Sequence, residues 1–391
     1  MADLGTLGGT RSVAYGINDS GQVVGRSRIA NTEYRAFLYS GGSMQDLGTL
    51  PGGDESVAHD INDNGQVVGK VTNASEAIRA FLYSGGSMQD LGTLGGSSSR
   101  AQGINDSGQV VGYSRNASNY DHAFLYSGES MQDLGTLGGN YSYAYDINDS
   151  GQVVGLAGNA SGEYNAFLYS GGSMQDLGTF PGGNGSRAQG INDSGQVVGH
   201  SLNASGLYHA FLYDGNTMID LGTLGGAFSY ANDINDAGQV VGHAYTTGSS
   251  PWDEHHAFLY DGTMNDLGTL GGVNSRAYGI NDAGLVVGDS NPTGSSIEGA
   301  YHAFLYDDTM HDLGTLGGIS SRATSINDAG LIAGFSNPTE SDADHAFLYD
   351  GSMHDLGTLG GASSYAYDID DAGQVVGRSY TAAADSRAFL H

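Results

Sequence analysis

Histidine, aspartate and asparagine are the residues of this sequence whose types and spacing could support chemistry. Imidazole is a common metal ligand, and the chain has 12 histidines. His255 and His256 are adjacent, but neighbouring side chains on a strand point in opposite directions. A further histidine often precedes Ala-Phe-Leu, and sister copies replace it by other residues, namely Arg35, Arg79, Asn165 and Arg387. This exchange argues against a chemical role, and we interpret the histidines as solvated polar positions.

Calcium is the cation that the oxygen-bearing side chains suggest. The segment Asp60-Ile61-Asn62-Asp63-Asn64-Gly65 has the alternating ligands Asp60, Asn62 and Asn64 that open a calcium loop. The later ligand is missing because Val71 occupies the twelfth position. The first ligand is also replaced in sister copies by Gly16, Gly103, Gly190, Gly279 and Ser325. The segment therefore reads mainly as a turn, with calcium as the alternative, and we predict no other cofactor.

A recurring aspartate of the Asp46 type opens the motif Asp-Leu-Gly. We predict that its carboxylate accepts a backbone hydrogen bond at the start of a strand. A shared row of cations between neighbouring repeats is the alternative.

Few residues of this sequence could carry out covalent catalysis. There is no cysteine, no Gly-x-Ser-x-Gly elbow, and no lysine after the glycine-rich motifs. Lys70 is the only lysine, hence the only residue able to form an imine, and its position resembles that of an ordinary edge residue. Carboxylates that recur in near-equivalent copies have no reason to differ in pKa, as acid–base catalysis requires. The sequence therefore predicts a protein that is not an enzyme.

The formal net charge of −30 excludes several partners. Nucleic acids and anionic membrane surfaces would be repelled, and no apolar run is long enough to span a bilayer. The first residues carry no signal-peptide pattern and the first repeat begins at Asp3, so we expect that the chain was cut from a longer precursor.

The motifs belong to nine copies of one unit of roughly 43 residues. Asp-Leu-Gly-Thr begins at residues 3, 46, 90, 133, 176, 220, 266, 312 and 355. We take these positions as the repeat starts within a single propeller domain, 1–391. Within one repeat we predict four strands, at 14–17, 22–27, 36–39 and 44–50, with a hairpin turn at 18–21. Four antiparallel strands in this length are typical of a propeller blade.

The two ends of the sequence complement each other. The chain opens with a fourth strand, Asp3 to Leu7, and stops after a third strand, Ala388 to His391. Pairing them would remove two exposed sheet edges. The sequence thus predicts an all-β, nine-bladed β-propeller of four-stranded antiparallel blades, in which the N-terminal strand completes the last blade. An open or distorted ring is the alternative.

The repeat resembles the HAF repeat of bacterial and archaeal extracellular proteins. The resemblance rests on His-Ala-Phe-Leu-Tyr, Asp-Leu-Gly-Thr-Leu-Gly-Gly and Gly-Ile-Asn-Asp-x-Gly-Gln-Val-Val-Gly, and it covers essentially the whole chain. Histidine stands in the name-giving slot at His122, His209, His256, His302 and His345. The resemblance implies an extracellular or surface-attached protein without an assigned enzymatic activity.

Variation between the copies predicts where ligands bind. The turns between the first and second strands hardly change. The loops between the second and third strands vary, as do those from the fourth strand to the next repeat, and these two sets should share one face. We place the candidate ligand-binding residues there: Trp252, Tyr141, Tyr143, Tyr208, Phe228, Tyr230, Tyr301 and Tyr365. The resulting hypothesis is an extracellular binding or adhesion propeller, with carbohydrate or a cell-envelope protein as partner. The alternatives are a self-associating surface or filament subunit and a polysaccharide lyase or hydrolase.

Overall fold

The computed structural model describes residues 1–30, 33–247, 254–294, 300–339 and 343–391, and in these ranges the secondary structure is all β. Strand β1 (Ala2–Asp3) comes first and pairs near the other end of the chain. Among the described residues the strands form nine four-stranded antiparallel sheets. We call these sheets blades 1 to 9, in chain order.

Blades 1 to 4 each contain four consecutive strands. Their bounds are β2 (Gly8–Ile17), β3 (Val23–Ile29), β4 (Tyr34–Ser40) and β5 (Ser43–Asp46); β6 (Ser56–Ile61), β7 (Val67–Thr72), β8 (Ile78–Ser84) and β9 (Ser87–Asp90); β10 (Gly95–Ile104), β11 (Val110–Asn116), β12 (Asp121–Ser127) and β13 (Ser130–Gly135); β14 (Gly138–Ile147), β15 (Val153–Asn159), β16 (Tyr164–Ser170) and β17 (Ser173–Gly178).

Blades 5 to 8 repeat this order, and blade 9 is ordered β1-β36-β35-β34. The bounds are β18 (Ser186–Ile191), β19 (Val197–Leu202), β20 (Tyr208–Tyr213) and β21 (Met218–Gly222); β22 (Gly225–Ile234), β23 (Val240–Thr246), β24 (His255–Tyr260) and β25 (Met264–Gly268); β26 (Gly271–Ile280), β27 (Val286–Pro292), β28 (His302–Tyr306) and β29 (Met310–Asp312); β30 (Ser321–Ile326), β31 (Ile332–Ser336), β32 (His345–Tyr349) and β33 (Met353–Gly357); and β34 (Gly360–Ile369), β35 (Val375–Thr381) and β36 (Ser386–Leu390).

The chain ends meet as the sequence predicted. Ala2 pairs with Leu390 and Asp3 with Phe389, and the backbone N–H of Leu4 donates to the carbonyl of Ala388 at 3.1 Å. The fold class predicted from the repeats is therefore confirmed: the protein is a nine-bladed β-propeller whose N-terminal strand completes the last blade.

The chain divides into two compact units. Unit 1 comprises residues 1–177 and 376–391, and unit 2 comprises residues 178–375. Unit 1 thus holds most of blades 1 to 4 together with the chain termini, and unit 2 holds blades 5 to 8 and β34.

The core repeats with the sequence motifs. The phenylalanine of Ala-Phe-Leu and the first valine of Val-Val-Gly are fully buried in blade after blade, as Phe37 and Val23 illustrate. The glycine that follows the two valines is required by close packing, because a Cβ atom on Gly25 would lie 2.0 Å from the carbonyl oxygen of Val13. This close approach explains why the second strand never carries a side chain at that point.

The hairpin turn between the first and second strands also matches the prediction. In blade 1 the N–H of Gly21 donates to the carbonyl of Asn18 at 2.8 Å, and Gly21 has a φ of +70°. Glycine adopts this left-handed conformation without steric cost, and the turn therefore has the bulged type I form that its residues indicated.

The first strand is longer than the sequence suggested. Tyr141, Tyr143, Phe228 and Tyr230 were predicted to lie on loops, but they lie within β14 and β22. The strand begins early because Gly138 pairs with Asn159, and a register shift follows before Ser142. The irregular register hides the strand from a period-two pattern, which is why the prediction was wrong here.

Polar side chains fasten neighbouring blades to one another within each unit. Asn62 lies in the turn of blade 2, and its amide donates to the carbonyl of Asn105 in blade 3 at 2.9 Å. Ser56 accepts the N–H of Ala36 from blade 1 at 2.9 Å and donates to the carbonyl of Gly48 at 2.6 Å. We call these repeated contacts the Asn seam and the Ser seam. They satisfy backbone groups that would otherwise be buried without partners.

Candidate functional site

The predicted calcium ligands all lie in or next to the Asn seam. Asp60 accepts the N–H of Ile61 at 2.9 Å and that of Ile104, in the next blade, at 3.0 Å. The amide of Asn62 donates to Asn105, as described above, and the amide of Asn64 donates to the carbonyl of Asp106 at 2.7 Å. These contacts give all three side chains a structural role. In the described part of the chain, no three His, Asp or Glu side chains form a cluster suited to a metal ion.

The bridge made by Asp60 recurs in unit 2. Asp233 accepts the N–H of Ile234 at 2.9 Å and that of Ile280 at 3.0 Å. The following blade carries Gly279 at the slot of Asp233. An aspartate in one blade thus bridges to a blade that has glycine at the same slot. Burial raises the pKa of Asp233 even though two backbone N–H groups stabilise its charge.

The histidines before Ala-Phe-Leu form pairs with the aspartates of Asp-Leu-Gly. In each pair the histidine Nδ1 lies 2.9 to 3.1 Å from both carboxylate oxygens. The pairs are His122–Asp133, His209–Asp220, His256–Asp266, His302–Asp312 and His345–Asp355. Each carboxylate also accepts the N–H of the glycine two residues later, at 2.6 to 2.8 Å. We call these pairs the His–Asp dyads.

The aspartate was predicted as a backbone acceptor, and its bond to the glycine N–H agrees with that prediction. The imidazole partner was not foreseen. In blade 4, Asn165 replaces the histidine and donates to both oxygens of Asp176 at 3.0 Å. In blade 4 the slot thus supplies a donor to the carboxylate without an imidazole, whereas Arg35 of blade 1 donates to the Thr49 hydroxyl at 3.0 Å.

The second ring nitrogen of the dyads differs between blades. Nε2 of His122 lies 3.1 Å from the amide nitrogen of Asn116, and Nε2 of His209 lies 3.2 Å from that of Asn203. In these two dyads an asparagine amide therefore lies within hydrogen-bonding distance of the ring nitrogen that faces away from the carboxylate.

Several predicted ligand-binding aromatics pack against neighbouring strands. Tyr143 contacts Tyr113 edge to face at 5.2 Å, and Tyr365 contacts Phe335 in the same way at 5.3 Å. Phe228 is buried and contacts Tyr245 at 5.5 Å, and Tyr230 stacks on His243 at 5.3 Å. The structure therefore places these four rings in packing between strands, where the longer first strand carries them, and not on loops.

Two further aromatic candidates lie elsewhere. Tyr208 is 37% exposed and contacts His200 edge to face at 5.0 Å, and Tyr301 is partly buried, with its N–H 3.4 Å from the Ser320 hydroxyl oxygen. Trp252 lies outside the described residues.

Tyr141 lines a cavity of about 370 Å³ in blade 4. The walls come from the start of β14 and from the connection between β15 and β16, including Asn140, Asn159 and Tyr164, which is 41% exposed. Of the predicted site residues, Tyr141 is the one that this cavity contains.

A second group of residues was missed at the sequence level. The residue after Val-Val-Gly in the second strand lies between neighbouring blades and changes from copy to copy; we call it the layer position. It is partly exposed in every blade except blade 7. In unit 1 the layer residues of blades 9, 1 and 2 are Arg378, Arg26 and Lys70, all of them cationic. Blade 3 adds Arg100, which lies opposite the layer residue Tyr113.

These cations alternate with tyrosines. The guanidinium of Arg26 lies 4.5 Å from the ring centre of Tyr34 and 5.8 Å from that of Tyr15, and Arg28 lies 5.0 Å from Tyr34. Arg100 donates to the hydroxyl of Tyr113 at 2.8 Å. Cation–π contacts of this kind orient a guanidinium without neutralising it. We call Arg378, Arg26, Arg28, Lys70 and Arg100 the cationic layer.

Lys70 is central to this layer. Burial lowers the pKa of its ammonium group, and the charges of Arg100 and Arg26 lower it further, while Glu55 acts in the opposite direction. Arg26 and Arg100 thus lie near enough to Lys70 for their charges to act on its amine.

Unit 2 fills the same position with different chemistry. Its layer residues include His200, His243 and Asp289. Burial lowers the pKa of His200 to about 4, with Arg187 adding to the effect, and lowers that of His243 to about 3, with His255 and Arg276 adding. His255 follows in the same chain of rings, and its Nε2 accepts a hydrogen bond from Arg276 at 2.9 Å. These histidines are neutral at pH 7.

Asp289 is fully buried in unit 2. One carboxylate oxygen accepts from Arg322 at 2.6 Å and from the Tyr278 hydroxyl at 3.1 Å. Burial raises the pKa of Asp289 despite the opposing charge of Arg322, and burial together with the Asp289 charge raises that of Tyr278 to about 12. The layer of unit 2 therefore contains an internally compensated ion pair.

The fold and these side chains define a β-propeller with a variable polar layer between its blades. Residues 129–272, less than half of the chain, match the family described as "Protein of unknown function (DUF3466)". A search of the curated proteins found no match. In the described residues no helix is long and apolar enough to cross a membrane.

Solved structures similar to this chain are propellers of peptidases. The propeller domain of the Trilobed protease from Pyrococcus furiosus is 10% identical with a TM-score of 0.44, covering 78% of this chain and 96% of that one. Uncomplexed Pyrococcus horikoshii acylaminoacyl peptidase is 12% identical with a TM-score of 0.46, covering 95% and 58%. A Mycobacterium tuberculosis puromycin-hydrolyzing peptidase is 12% identical with a TM-score of 0.43, covering 83% and 49%. This chain thus spans about half the length of the two peptidases.

The comparisons correct the functional prediction. An extracellular binding or adhesion propeller was expected, with carbohydrate or an envelope protein as partner, yet the similar propellers belong to peptidases and nothing in the comparisons points to adhesion. That adhesion prediction is therefore contradicted. Identities this low concern the fold alone, so a function must be argued from this chain's own residues.

Proposed function

We propose that the protein is a non-catalytic receptor module that binds a small carboxylate-bearing anion at the cationic layer of unit 1. The observation that carries the proposal is a local concentration of positive charge in a chain of net charge −30. Five of its 13 lysine and arginine residues belong to this layer. Such a concentration repels itself unless an anion compensates it.

Four charges of the layer are available to a ligand. Arg26, Arg28, Lys70 and Arg100 form no ion pair with a carboxylate in the described part of the chain. The Nε atoms of Arg26 and Arg28 are buried and have no hydrogen-bond partner in the described structure. A carboxylate oxygen is the acceptor that matches such donors best.

The size of the ligand follows from the charge of the whole chain. A polyanion would meet the acidic remainder of the surface and be repelled, whereas a small anion would experience mainly the adjacent guanidinium and ammonium groups. At ordinary ionic strength, exposed charges act over about 10 Å, so the local layer dominates. A compact mono- or dicarboxylate therefore fits better than a nucleic acid or an acidic protein.

Oxalate titration by calorimetry tests the proposal. The wild-type chain should bind oxalate, more weakly as salt is added, because the interaction is electrostatic. Lys70→Gln should raise the Kd by about tenfold, which corresponds to about 1.4 kcal/mol, a typical loss for one charge-assisted contact.

The matched control is Arg115→Gln, which removes one positive charge from a residue that is paired with Asp121 at 3.4 Å. It should change the Kd by less than about twofold, since a screened surface charge outside the layer contributes little. Equal effects of the two substitutions, or no heat of binding in the wild-type chain, would refute the proposal.

A further inference from the structure

Lys70 lines a small cavity in blade 2. The cavity measures about 60 Å³, and its walls include the apolar side chains of Val57, Val71 and Ile78 together with Glu55. Lys70 is held there by β7, in which it lies opposite Val57 on one side and Ala80 on the other. The only lysine of the chain thus projects from a fixed backbone into a pocket of mixed character.

The amine of Lys70 has no hydrogen bond or ion pair in the described part of the chain. Partial burial and the neighbouring charges of Arg100 and Arg26 lower the pKa of the Lys70 ammonium group. An unpaired lysine with a lowered pKa beside an apolar wall is the kind that acts as a nucleophile.

We infer that Lys70 forms an imine with a small anionic aldehyde or 2-oxo acid. This inference rests on the proposed function, because the guanidinium groups that would hold the carboxylate of the ligand are those of the cationic layer. It adds the chemical class of the ligand, a carboxylate with an adjacent carbonyl group, and a covalent mode of capture.

The reaction balances without any further reagent. The lone pair of Nζ adds to the carbonyl carbon, and a proton passes from nitrogen to oxygen to give a carbinolamine. Loss of the hydroxyl group as water, with the remaining nitrogen-bound proton, leaves the imine. Glu55 lines the same cavity and supplies a carboxylate that can take up and return these protons.

The dimensions limit the ligand. A cavity of about 60 Å³ admits a molecule of only a few non-hydrogen atoms. Glyoxylate is the smallest compound that joins an aldehyde to a carboxylate, and it is therefore the probe. Acetaldehyde, of similar size but uncharged, is the matched comparison.

The experiment traps the imine by reduction. The full chain is incubated with glyoxylate and cyanoborohydride near neutral pH, and peptide mapping by mass spectrometry locates the adduct. The other amine of the chain is the amino terminus, which mapping separates from Lys70. The Lys70 peptide should be modified several-fold faster than in the urea-unfolded chain, because the folded structure lowers the pKa of this amine.

Two variants sharpen the result. Lys70→Arg keeps a positive charge at the layer position and should abolish the adduct at this site. Arg100→Gln keeps the amine but removes one neighbouring charge, and it should lower the ratio of glyoxylate to acetaldehyde labelling. An unchanged ratio would overturn the role of the guanidinium groups.

The outcomes separate this inference from the proposed function. Oxalate has no aldehyde, so it should bind the layer and protect Lys70 from glyoxylate. If oxalate binds but the labelling of Lys70 is not accelerated, imine formation at Lys70 is refuted, whereas anion binding at the cationic layer is still supported. Equal labelling by both aldehydes, with no protection by oxalate, overturns the anionic ligand class and the receptor but leaves a reactive lysine.

Discussion

In unit 1 the layer position holds Arg26, Lys70 and Arg378, whereas in unit 2 it holds His200, His243 and Asp289. The strands around these residues are paired in the same register: Val57 lies opposite Lys70 just as Tyr230 lies opposite His243. The first unit gathers positive charge, and its Arg26 and Lys70 form no ion pair with a carboxylate in the described residues. The second keeps its imidazoles neutral and closes its one acidic layer residue in an ion pair.

This difference separates what holds the blades together from what varies between them. The Asn seam is the same in both units, with Asn62 bonded to Asn105 at 2.9 Å and Asn235 bonded to Asn281 at 3.0 Å. Because the seams and the phenylalanine core satisfy the backbone and bury apolar area, the layer position is free to change. A repeat protein can in this way acquire a site in one part of the chain without altering the repeat.

The largest expected difference between the units is their response to acid. Burial lowers the pKa of His255 to about 4, as it lowers those of His200 and His243. The unfolded histidines titrate near pH 6.5, so below that pH the unfolded state binds more protons and the free energy of unfolding falls. The loss runs from about pH 6.5 to pH 4 and costs about 1.4 kcal/mol per pH unit for each histidine.

Hydrogen exchange followed by mass spectrometry at pH 7 and pH 5 measures this response. Protection should fall first in unit 2, because unit 1 has one comparable histidine in the described residues, His59. The variant His243→Gln should reduce the slope of stability against pH by about one proton. Earlier opening of unit 1 would contradict the assignment of neutral, buried histidines to unit 2.

The next effect concerns the ion pair of unit 2. Asp289→Asn leaves the guanidinium of Arg322 without its carboxylate, and we expect a loss of about 2 to 3 kcal/mol in the free energy of unfolding. Chemical denaturation measures it, with the double variant Asp289→Asn and Arg322→Gln as control.

The double variant should be less destabilised than the sum of the two single variants by at least about 1 kcal/mol, since the residues are in direct contact. Additive losses would mean that Asp289 and Arg322 do not stabilise each other.

A smaller effect should be equal in the two units. Asn62→Ala and Asn235→Ala each remove a seam contact. Each also removes the side-chain oxygen that accepts a glutamine N–H at 2.9 Å, that of Gln66 in one case and of Gln239 in the other. Each should cost about 1 to 2 kcal/mol, because buried backbone groups lose their partners. The two values should agree within about 0.5 kcal/mol. A clear difference would show that the framework, and not only the layer, distinguishes the units.

The sequence predicted the framework well, because every element of it is repeated. The hairpin turn at Asn18 to Gly21 and the pairing of Asp3 with the last blade follow from residue types whose geometry is local. The extended first strand was missed because its early residues pair out of register, as Gly138 does. The period-two alternation of apolar and polar residues cannot reveal a strand that contains a bulge.

The site was harder to predict because it depends on variation at a single position. Lys70, Arg26 and Arg378 were visible in the sequence, but only the structure shows that successive blades bring their charges together. One feature of the sequence could have revealed them. The residue directly after Val-Val-Gly is a cation in some repeats and a histidine in others. The sequence predicted ligand-binding aromatic residues on loops instead, among them Tyr143 and Tyr230. These two side chains pack between strands.

The smallest effect is expected at the His–Asp dyads, which belong to the framework of both units. Burial alone would raise the pKa of Asp266, but hydrogen bonds from His256 and from the N–H of Gly268 outweigh it and lower that pKa.

His256→Asn should lower the free energy of unfolding by less than about 1 kcal/mol, because Asn165 already makes the equivalent bonds in blade 4 and the carboxylate is substantially exposed. His256→Leu should cost more, since it offers the carboxylate no donor. Thermal unfolding of the two variants at pH 7 compares them. Equal losses would mean that the slot selects side-chain volume and not a hydrogen-bond donor, and the exchange of His for Asn between the blades would then have no electrostatic basis.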